Sequence, residues 1–475
     1  MSVSEASTAE APPAGPANVR WTLLGVMLAM LLAVLDTNVV GTAMPTIVGD
    51  LGGLGHISWV VTTYALTTAV STPIWGKLGD LYGRKRLFLG SIVLFLAGSA
   101  LCGIAWSMPS LIGFRALQGA GAGGLAAGAL ALIGSLVPPR ERGRYQGMTA
   151  IVMAVGTVAG PWFGGLLTEH LGWRAAFFVN LPLGVIAFVW VAVLLHLPVV
   201  RGRARIDWAG MLLLTVAITA LTLGASWAGS TYAWSSWPIV SLAVLAAASI
   251  AGFAAWEKRA AEPVLPPRMF TGQRNFPLSI GTLAAVGAVM FACTLYVPLF
   301  QQTVQGASAA GSGLLLLPMA LPVAVISTLA GKYISRTGRY RVLPILGAAL
   351  LTIGTFLLST MDTDTSFGLT SVYLAVIGAG LGLTMQVSGT IAQNSAQPAD
   401  MGAAAAAITL FRTLGGSVGV AVFGGLLTSA TTNAAPPVYH QALATGTSHI
   451  FLLASAVCAA AFVLACCVKE IPLRK

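Results

Sequence analysis

Charged residues are scarce in this sequence. Asp, Glu, Lys and Arg together make up 8% of its 475 residues, whereas hydrophobic residues make up 56%. A soluble domain usually contains about 25% charged residues. Apolar runs of about 18 residues or more, which recur here along the whole chain, are typical of membrane-spanning helices. The composition therefore predicts an all-α polytopic membrane protein and excludes a single soluble core.

The sequence also lacks the residue groupings that enzymes, ATP-driven pumps and channels need. It contains no Walker-type GxxxxGK[ST] loop, so we do not expect ATP to drive this chain. The five histidines are scattered, and the five cysteines lie in apolar runs without metal-ligand spacing. The sequence contains neither a ring of pore-lining charges nor a filter loop, which are the features expected of a channel. We therefore expect a protein that is not an enzyme and that holds no metal or other cofactor.

The positive charges follow the pattern of a membrane topology. Lys and Arg outnumber Asp and Glu by 25 to 14, which gives a net charge of +11. If the N-terminus is cytoplasmic, 22 of those 25 basic residues fall in cytoplasmic segments, as the positive-inside rule requires. We therefore expect both termini in the cytoplasm and no nucleic-acid partner. Residues 1–20 lack the features of a signal peptide and are predicted to be a disordered tail. The fourteen predicted spans lie at about 21–44, 57–75, 87–106, 109–136, 145–167, 175–197, 208–228, 238–256, 276–300, 308–331, 342–360, 367–389, 403–428 and 449–468.

A basic loop motif occurs twice. GKLGDLYGRKR at 76–86 follows the second span and GKYISRTGRYR at 331–341 follows the tenth, with five of eleven positions identical. This displacement by eight spans predicts two six-helix bundles, over 21–200 and 263–475, separated by two additional helices over 201–262. Two such bundles are typical of an alternating-access transporter. The alternative is that both loops are basic only because of the positive-inside rule.

The first copy of the motif contains a candidate conformational gate. Arg84 and its neighbours could hold Asp80 and the carbonyl groups at a helix C-terminus in one conformation and release them in the other. The second copy has Ser335 in place of Asp80, so this acid is confined to the N-terminal half. The gate candidates are Gly76, Asp80, Gly83, Arg84, Lys85 and Arg86.

These motifs resemble those of a known family. GKLGDLYGRKR is similar to the cytoplasmic loop motif of the major facilitator superfamily. LDTNVVGTAMPTI, RALQGAGAGG, GTVAGPWFGG and GWRAAFFVNLPLG resemble motifs of its fourteen-span drug:proton antiporters (EmrB/QacA-like). The resemblance covers essentially the whole chain and implies the major facilitator fold and proton-driven export of amphipathic compounds. Family members often have Thr where this chain has Asn38, and some have a further acid in a later span, which this chain lacks.

Asp36 is the one acid clearly embedded in a predicted span. A charge at a helix centre costs about 2.5–3.5 kcal/mol on insertion scales, and burial disfavours the ionised form, so Asp36 is a candidate proton carrier. Arg115 is predicted to lie at a similar depth on an antiparallel span, and the resemblance also assigns it to proton coupling. A pair that forms in only one conformation is what coupling requires. The alternatives are a permanently closed structural pair, or an acid capped by the hydroxyl groups of Thr37 or Thr42.

Small residues on the fifth span predict close helix packing. In the resembled family this run, Gly156, Gly160, Pro161, Gly164 and Gly165, is associated with antiporters and not with importers. Arg412, nine residues into the predicted span 403–428, either extends towards the cytoplasm or meets a substrate. The candidate substrate-binding residues are Asn38, Tyr64, Met290, Tyr296, Gln301, Gln302, Met385, Gln386 and Arg412.

The sequence thus favours a proton-coupled efflux antiporter of the bacterial plasma membrane. Its expected partners are protons, lipid and an amphipathic small molecule, and we expect it to act as a monomer. One embedded acid against two embedded arginines favours neutral, zwitterionic or anionic substrates. An importer or facilitator of a small metabolite, or a non-transporting membrane receptor, remains an alternative.

Overall fold

The computed structural model describes residues 16–52, 57–197, 206–229, 231–307, 314–431 and 439–471. Most of the predicted N-terminal tail lies outside these ranges, as do Arg201, Arg203, Arg205, Arg474 and Lys475 of the charge pattern. The described residues are almost entirely helical, and the one β-bridge among them joins Ala228 and Tyr232.

Six long helices form the N-terminal bundle. α1 packs against α5 and α6, while α4 packs against α2 and α3. Local sequence sets several of their ends: Gly83, at φ 97°, separates α2 from α3, and Ser107 caps α4 in a reciprocal pair with Ser110. The helices are α1 (Pro16–Leu51), α2 (Ile57–Tyr82), α3 (Arg84–Gly103), α4 (Met108–Leu136), α5 (Pro139–Leu171) and α6 (Ala175–Leu194, interrupted at Val179).

Two additional helices, α7 (Trp208–Trp227) and α8 (Trp237–Glu257), pack mainly against each other. The Asp207 side chain caps α7 by accepting a 2.8 Å hydrogen bond from the Gly210 N–H. Large apolar side chains on the outer face of α8, such as Val244 and Ile250, are exposed. Exposed apolar surface of this kind is typical of contact with lipid.

Six further helices form the C-terminal bundle. The closest packing joins α9 to α13, α11 to α12 and α14, and α10 to α12. Gly338, in the left-handed conformation at φ 70°, ends α10, and a short 3₁₀ turn over Pro398–Asp400 leads into α13. The helices are α9 (Asn275–Thr303), α10 (Leu317–Thr337), α11 (Val342–Ser359), α12 (Phe367–Ser395), α13 (Met401–Thr431) and α14 (Tyr439–Cys466).

Twelve helices in the described ranges are long and apolar enough to cross a membrane. The count rises to 13 if α5, which bends by 41° between Thr157 and Trp162, is taken as one span. The one predicted span that is absent from that count is the second, 57–75. It corresponds to α2, which is 26 residues long but rich in Thr and Ser. The fold is therefore that of a multi-pass helical membrane protein, and the number fourteen stays a prediction.

Candidate functional site

Asp36 of α1 and Arg115 of α4 form a buried ion pair. The Arg115 Nη1 atom lies 2.5 Å from Asp36 Oδ2, and each residue is 1% exposed. The two helices run in opposite directions, so a residue early in α4 lies at the level of one late in α1. The sequence predicted this meeting of the two side chains from their depths in their spans.

Two amides that were not predicted complete the surroundings of the acid. Gln118 Nε2 and Asn180 Nδ2 donate hydrogen bonds of 2.7 and 2.8 Å to Asp36 Oδ1. Both amides also donate to the Ser99 hydroxyl, at 2.6 and 3.1 Å. Gln118 and Asn180 lie inside the motifs RALQGAGAGG and GWRAAFFVNLPLG, so the sequence marked the two segments that contain these amides. We call Asp36, Ser99, Arg115, Gln118 and Asn180 the acid cluster.

The remaining surface of the Arg115 guanidinium is also covered. Its Nη1 donates a second hydrogen bond, of 2.7 Å, to Gln118 Oε1. The guanidinium carbon lies 3.9 Å from the centre of the Tyr64 ring, a cation–π contact. Tyr64, a predicted substrate contact, is therefore engaged with Arg115, and its hydroxyl donates to the Ala33 carbonyl at 3.3 Å.

Every contact to Asp36 in the acid cluster comes from a donor. Arg115, Gln118 and Asn180 each supply an N–H, which suits an ionised carboxylate and offers no acceptor for a carboxylic-acid proton. An ion pair buried this deeply is strongly destabilised when one partner loses its charge, because the other is left uncompensated. The cluster is thus built for the ionised acid, and a proton on Asp36 requires it to rearrange.

The glycine face of α5 packs directly on α1 beside the acid cluster. A Cβ atom at Gly156 would lie 2.5 Å from Val34 Cγ1, and one at Gly160 would lie 2.5 Å from Asn38 Cβ. Gly164 likewise meets the backbone of Val39, whereas a Cβ at Gly165 would meet nothing within 4 Å. Pro161 stands at the bend of α5 and cannot donate a helical N–H there. Gly165 therefore lies outside the packed face, which the other three glycines share.

The first loop motif joins the two bundles at one end of the molecule, which we call the motif end. The Asp80 carboxylate accepts hydrogen bonds from the Gly402 and Ala403 N–H groups at the start of α13, at 3.0 and 3.1 Å. Arg84 pairs with Asp80 at 2.8 Å and donates to the Pro398 carbonyl at 3.1 Å. Burial raises the pKa of Asp80, while Arg84 opposes that shift. The Asp80 carboxylate is therefore stabilised only while both Arg84 and the N–H groups of α13 remain in place.

The other predicted gate residues have different positions. Lys85 donates a 2.8 Å hydrogen bond to the Ala192 carbonyl, which holds the start of α3 against the end of α6. Arg86 is exposed. Lys77, in the same motif, pairs at 2.8 Å with Glu262 of the segment between α8 and α9.

The first glycine of each motif copy closes a seam between the bundles. A Cβ at Gly76 of α2 would lie 2.6 Å from the Gly402 carbonyl oxygen of α13. A Cβ at Gly331 of α10 would overlap the Gly143 carbonyl group of α5. The two seams, α2 with α13 and α10 with α5, are related by the internal repeat. The motif end is closed in this structure by two equivalent glycine contacts.

A cavity lies between the bundles, bounded by α1, α4 and α5 on one side and α9, α12 and α13 on the other. Three predicted substrate-binding residues, Met385, Gln386 and Arg412, line it. Gln146 and Gln393 bridge the bundles across it with a 3.0 Å hydrogen bond. Its volume is about 30 Å³, whereas drug-sized ligands need roughly 300–1,000 Å³. A substrate can therefore enter only when the bundles separate.

The other predicted substrate contacts do not line this cavity. Asn38 donates to the Val34 carbonyl at 2.8 Å, and the Tyr296 hydroxyl donates to the Val420 carbonyl at 2.8 Å. Met290 packs partly buried against the core of the C-terminal bundle. Gln301 is buried, with no partner for its amide among the described residues, and Gln302 is exposed. Helix packing therefore accounts for the first three of these side chains.

Comparisons with known proteins agree with this architecture. A family model described as the Major Facilitator Superfamily matches residues 26–420. An uncharacterized MFS-type transporter of Mycobacterium tuberculosis is 41% identical over 96% of this chain and 70% of its own length. The multidrug transporter protein MdtP of Bacillus subtilis is 36% identical over 86% of this chain and 76% of its own length.

A solved structure also matches in fold. The crystal structure of the human organic anion transporter MFSD10 (TETRAN) covers 93% of this chain and 99% of its own, with a TM-score of 0.65. At 14% identity, that likeness concerns the fold alone.

Proposed function

This chain belongs to the Major Facilitator Superfamily, and from that premise we propose that it is a proton-coupled antiporter that exports amphipathic compounds across the bacterial plasma membrane. We assign it to the fourteen-span drug:proton antiporters, with both termini in the cytoplasm. The names of its Bacillus subtilis relatives, a multidrug transporter protein and a multidrug resistance protein, support export over import of a metabolite.

The position of α2 supports its assignment as a span. This helix packs against α4 in its own bundle and against α13 in the other, so much of its surface faces protein. A helix shielded from lipid tolerates Thr and Ser, because their hydroxyl groups bond to its own backbone, as Thr72 does to the Thr68 carbonyl at 2.6 Å. Its polar composition is therefore compatible with crossing the membrane inside the bundle.

The acid cluster is the observation that carries the proposal. Asp36 is buried among three N–H donors, so a proton on its carboxylate would remove the charge that pairs with Arg115 and would introduce a donor with no acceptor in the cluster. In this mechanism a proton entering from outside opens the cluster, and release of that proton to the cytoplasm restores it. Because Asp36 lies on α1 against the glycine face of α5, and α5 forms a seam with α10, rearrangement of the cluster can bias the packing of the bundles.

The motif-end contacts define the other element of the cycle. Asp80, Gly76 and Gly331 hold the cytoplasmic ends of the bundles together in the present conformation. Loading a substrate from the cytoplasm requires those contacts to break and the cavity to widen. Alternating access then consists of closing this end before the opposite end opens.

Gradient-driven efflux from proteoliposomes tests the proposal. The assay uses the dye, from a panel of cationic, neutral and anionic amphipathic dyes, that the wild-type protein moves fastest under an imposed pH gradient. We expect Asp36→Asn to abolish acceleration by the gradient while equilibrium exchange of the dye continues. Asp50→Asn is the matched control, because Asp50 lies on the same helix in an exposed ion pair with Arg174. Wild-type acceleration by the gradient in the Asp36 variant would refute the assignment.

A further inference from the structure

Arg412 is the one charged side chain among the described residues that line the central cavity. The other lining residues are apolar, or are neutral Gln, Thr and Gly. The cavity therefore presents a single positive charge.

No acid in the described part of the chain neutralises this charge. The five ion pairs there use Lys77, Arg84, Arg115, Arg174 and Arg268. The guanidinium of Arg412 also makes no hydrogen bond to a described residue. It contrasts with Arg115, whose charge is fully paired inside the N-terminal bundle. A cation removed from bulk water without a counter-charge is costly unless an anion joins it.

The backbone fixes Arg412 deep within its helix. It lies 11 residues beyond Met401, where α13 begins, or roughly 16 Å along the axis. A Cβ at Gly287 of α9 would lie 2.9 Å from the Arg412 carbonyl carbon, so the two helices touch at this level. The side chain lines the cavity, which does not fit an arginine that extends to the cytoplasmic surface.

A second polar group in the cavity has no hydrogen-bond partner among the described residues. Gln386 of α12 is 8% exposed and lines the same cavity, and its side-chain amide bonds to none of the described residues. The wall contributed by the N-terminal bundle is apolar at Met30, Ala126, Leu130 and Met153 and polar at Gln146 and Thr149. The cavity thus offers a cation and an amide on the side of the C-terminal bundle, and a mostly apolar wall on the other side.

We propose that this cavity binds an amphipathic monoanion, with a carboxylate or sulfonate group on Arg412. The guanidinium can donate two parallel hydrogen bonds to such a group, and the Gln386 amide can donate a third. The apolar body of the ligand packs on the wall from the N-terminal bundle once the bundles have separated. The inference rests on the proposed function only in taking this cavity as the transport site.

Equilibrium binding without any gradient tests the inference. Three probes of similar size are compared on the purified protein in lipid nanodiscs: naphthalene-2-sulfonate, naphthalene-2-sulfonamide and trimethyl(2-naphthyl)ammonium. We expect the wild type to bind the sulfonate at least tenfold more tightly than either other probe. Arg412→Gln should lose that preference and leave sulfonamide binding unchanged, and Arg412→Lys should keep part of it. Arg336→Gln, which removes an equal charge from an exposed position on α10, should behave as the wild type.

Three results would overturn the inference: an undiminished preference in Arg412→Gln, a wild-type preference for the ammonium probe, or no wild-type binding of any probe. If Arg412→Gln fails to fold, Gln386→Leu provides the second test, with an expected loss of about threefold for the sulfonate alone. Because no gradient is present, the result is independent of proton coupling. Proton-driven export with no anion preference would refute this inference alone, whereas anion preference without proton-driven export would refute the proposed function alone.

Discussion

Asp36 and Arg412 carry opposite charges in opposite bundles, and their surroundings differ in kind. Asp36 is enclosed by donors that satisfy both of its oxygens, so its charge is balanced within the bundle. Arg412 faces a cavity with no described acid beside it. The first arrangement suits a group that responds to a proton, and the second suits one that responds to a ligand. In the proposed mechanism, the two residues therefore separate the coupling ion from the substrate.

Asn180 should tune how readily the acid cluster takes up a proton. Its amide donates to Asp36 Oδ1 at 2.8 Å, and a hydrogen bond to a charged group contributes about 1.5–3 kcal/mol. Removing it in Asn180→Ala favours the protonated acid, since one donor to the ionised form is lost. The midpoint of the pH profile of transport should therefore move upward by about one to two pH units, at 1.36 kcal/mol per unit.

The matched control for that measurement is Asn38→Ala. Asn38 lies on the same helix as Asp36, but its amide donates to the Val34 carbonyl and not to the acid. The midpoint of the pH profile of transport by Asn38→Ala should stay at the wild-type value. Equal shifts in the two variants, or no shift in either, would contradict the role given to Asn180.

At the scale of whole helices, the two seams at the motif end depend on the absence of side chains. Gly76 and Gly331 recur by the internal repeat, and each approaches a glycine of the opposite bundle, Gly402 or Gly143. Asp80 adds hydrogen bonds to one seam only. The closed motif end is therefore symmetric in its backbone contacts and asymmetric in its charges.

Gly76→Ala should shift the protein away from the conformation closed at the motif end. The added methyl group would lie 2.6 Å from the Gly402 carbonyl oxygen and 2.7 Å from Ala406 Cβ, and overpacking of this kind costs about 1–3 kcal/mol. Spin labels at the exposed positions Tyr82 and Gln397 should report a longer and broader distance distribution. Gly165→Ala, on a helical glycine with open space around it, should leave the distribution unchanged. A wild-type distribution in both variants would show that the seam does not set the conformation.

Much of this architecture follows from periodic and positional signals in the sequence. Depth within opposing spans predicted the pairing of Asp36 with Arg115, and the repeat identified Gly76 and Gly331. The sequence did not identify Gln118 and Asn180, because an amide in an apolar helix does not show which neighbour it will face. It also did not identify Gly143 and Gly402 as partners, since contacts between bundles depend on the conformation. Six of the nine predicted substrate contacts do not line the central cavity. Three of them, Asn38, Tyr64 and Tyr296, bond to backbone carbonyl groups instead, as polar residues in helices often do.

For the molecule as a whole, the proposed coupling site and the proposed substrate site are separate. The acid cluster lies within the N-terminal bundle, whereas the central cavity lies between the bundles, and α1 and α5 connect the two. The cavity measures about 30 Å³ while the motif end is closed, so substrate binding and bundle movement are linked by geometry. Coupling then requires that the state of Asp36 decide which end opens.

Proton movement driven by substrate tests the role of Asp36 in coupling. Proteoliposomes receive a gradient of the same dye used in the efflux assay, with no imposed pH gradient and a trapped pH-sensitive fluorophore. In the wild type, we predict that dye flowing down its gradient drives protons in the opposite direction. In Asp36→Asn, dye should still move while the proton signal falls to the level of protein-free vesicles. An Asp36→Asn protein that moves protons and dye in the wild-type ratio would show that Asp36 does not couple the two fluxes.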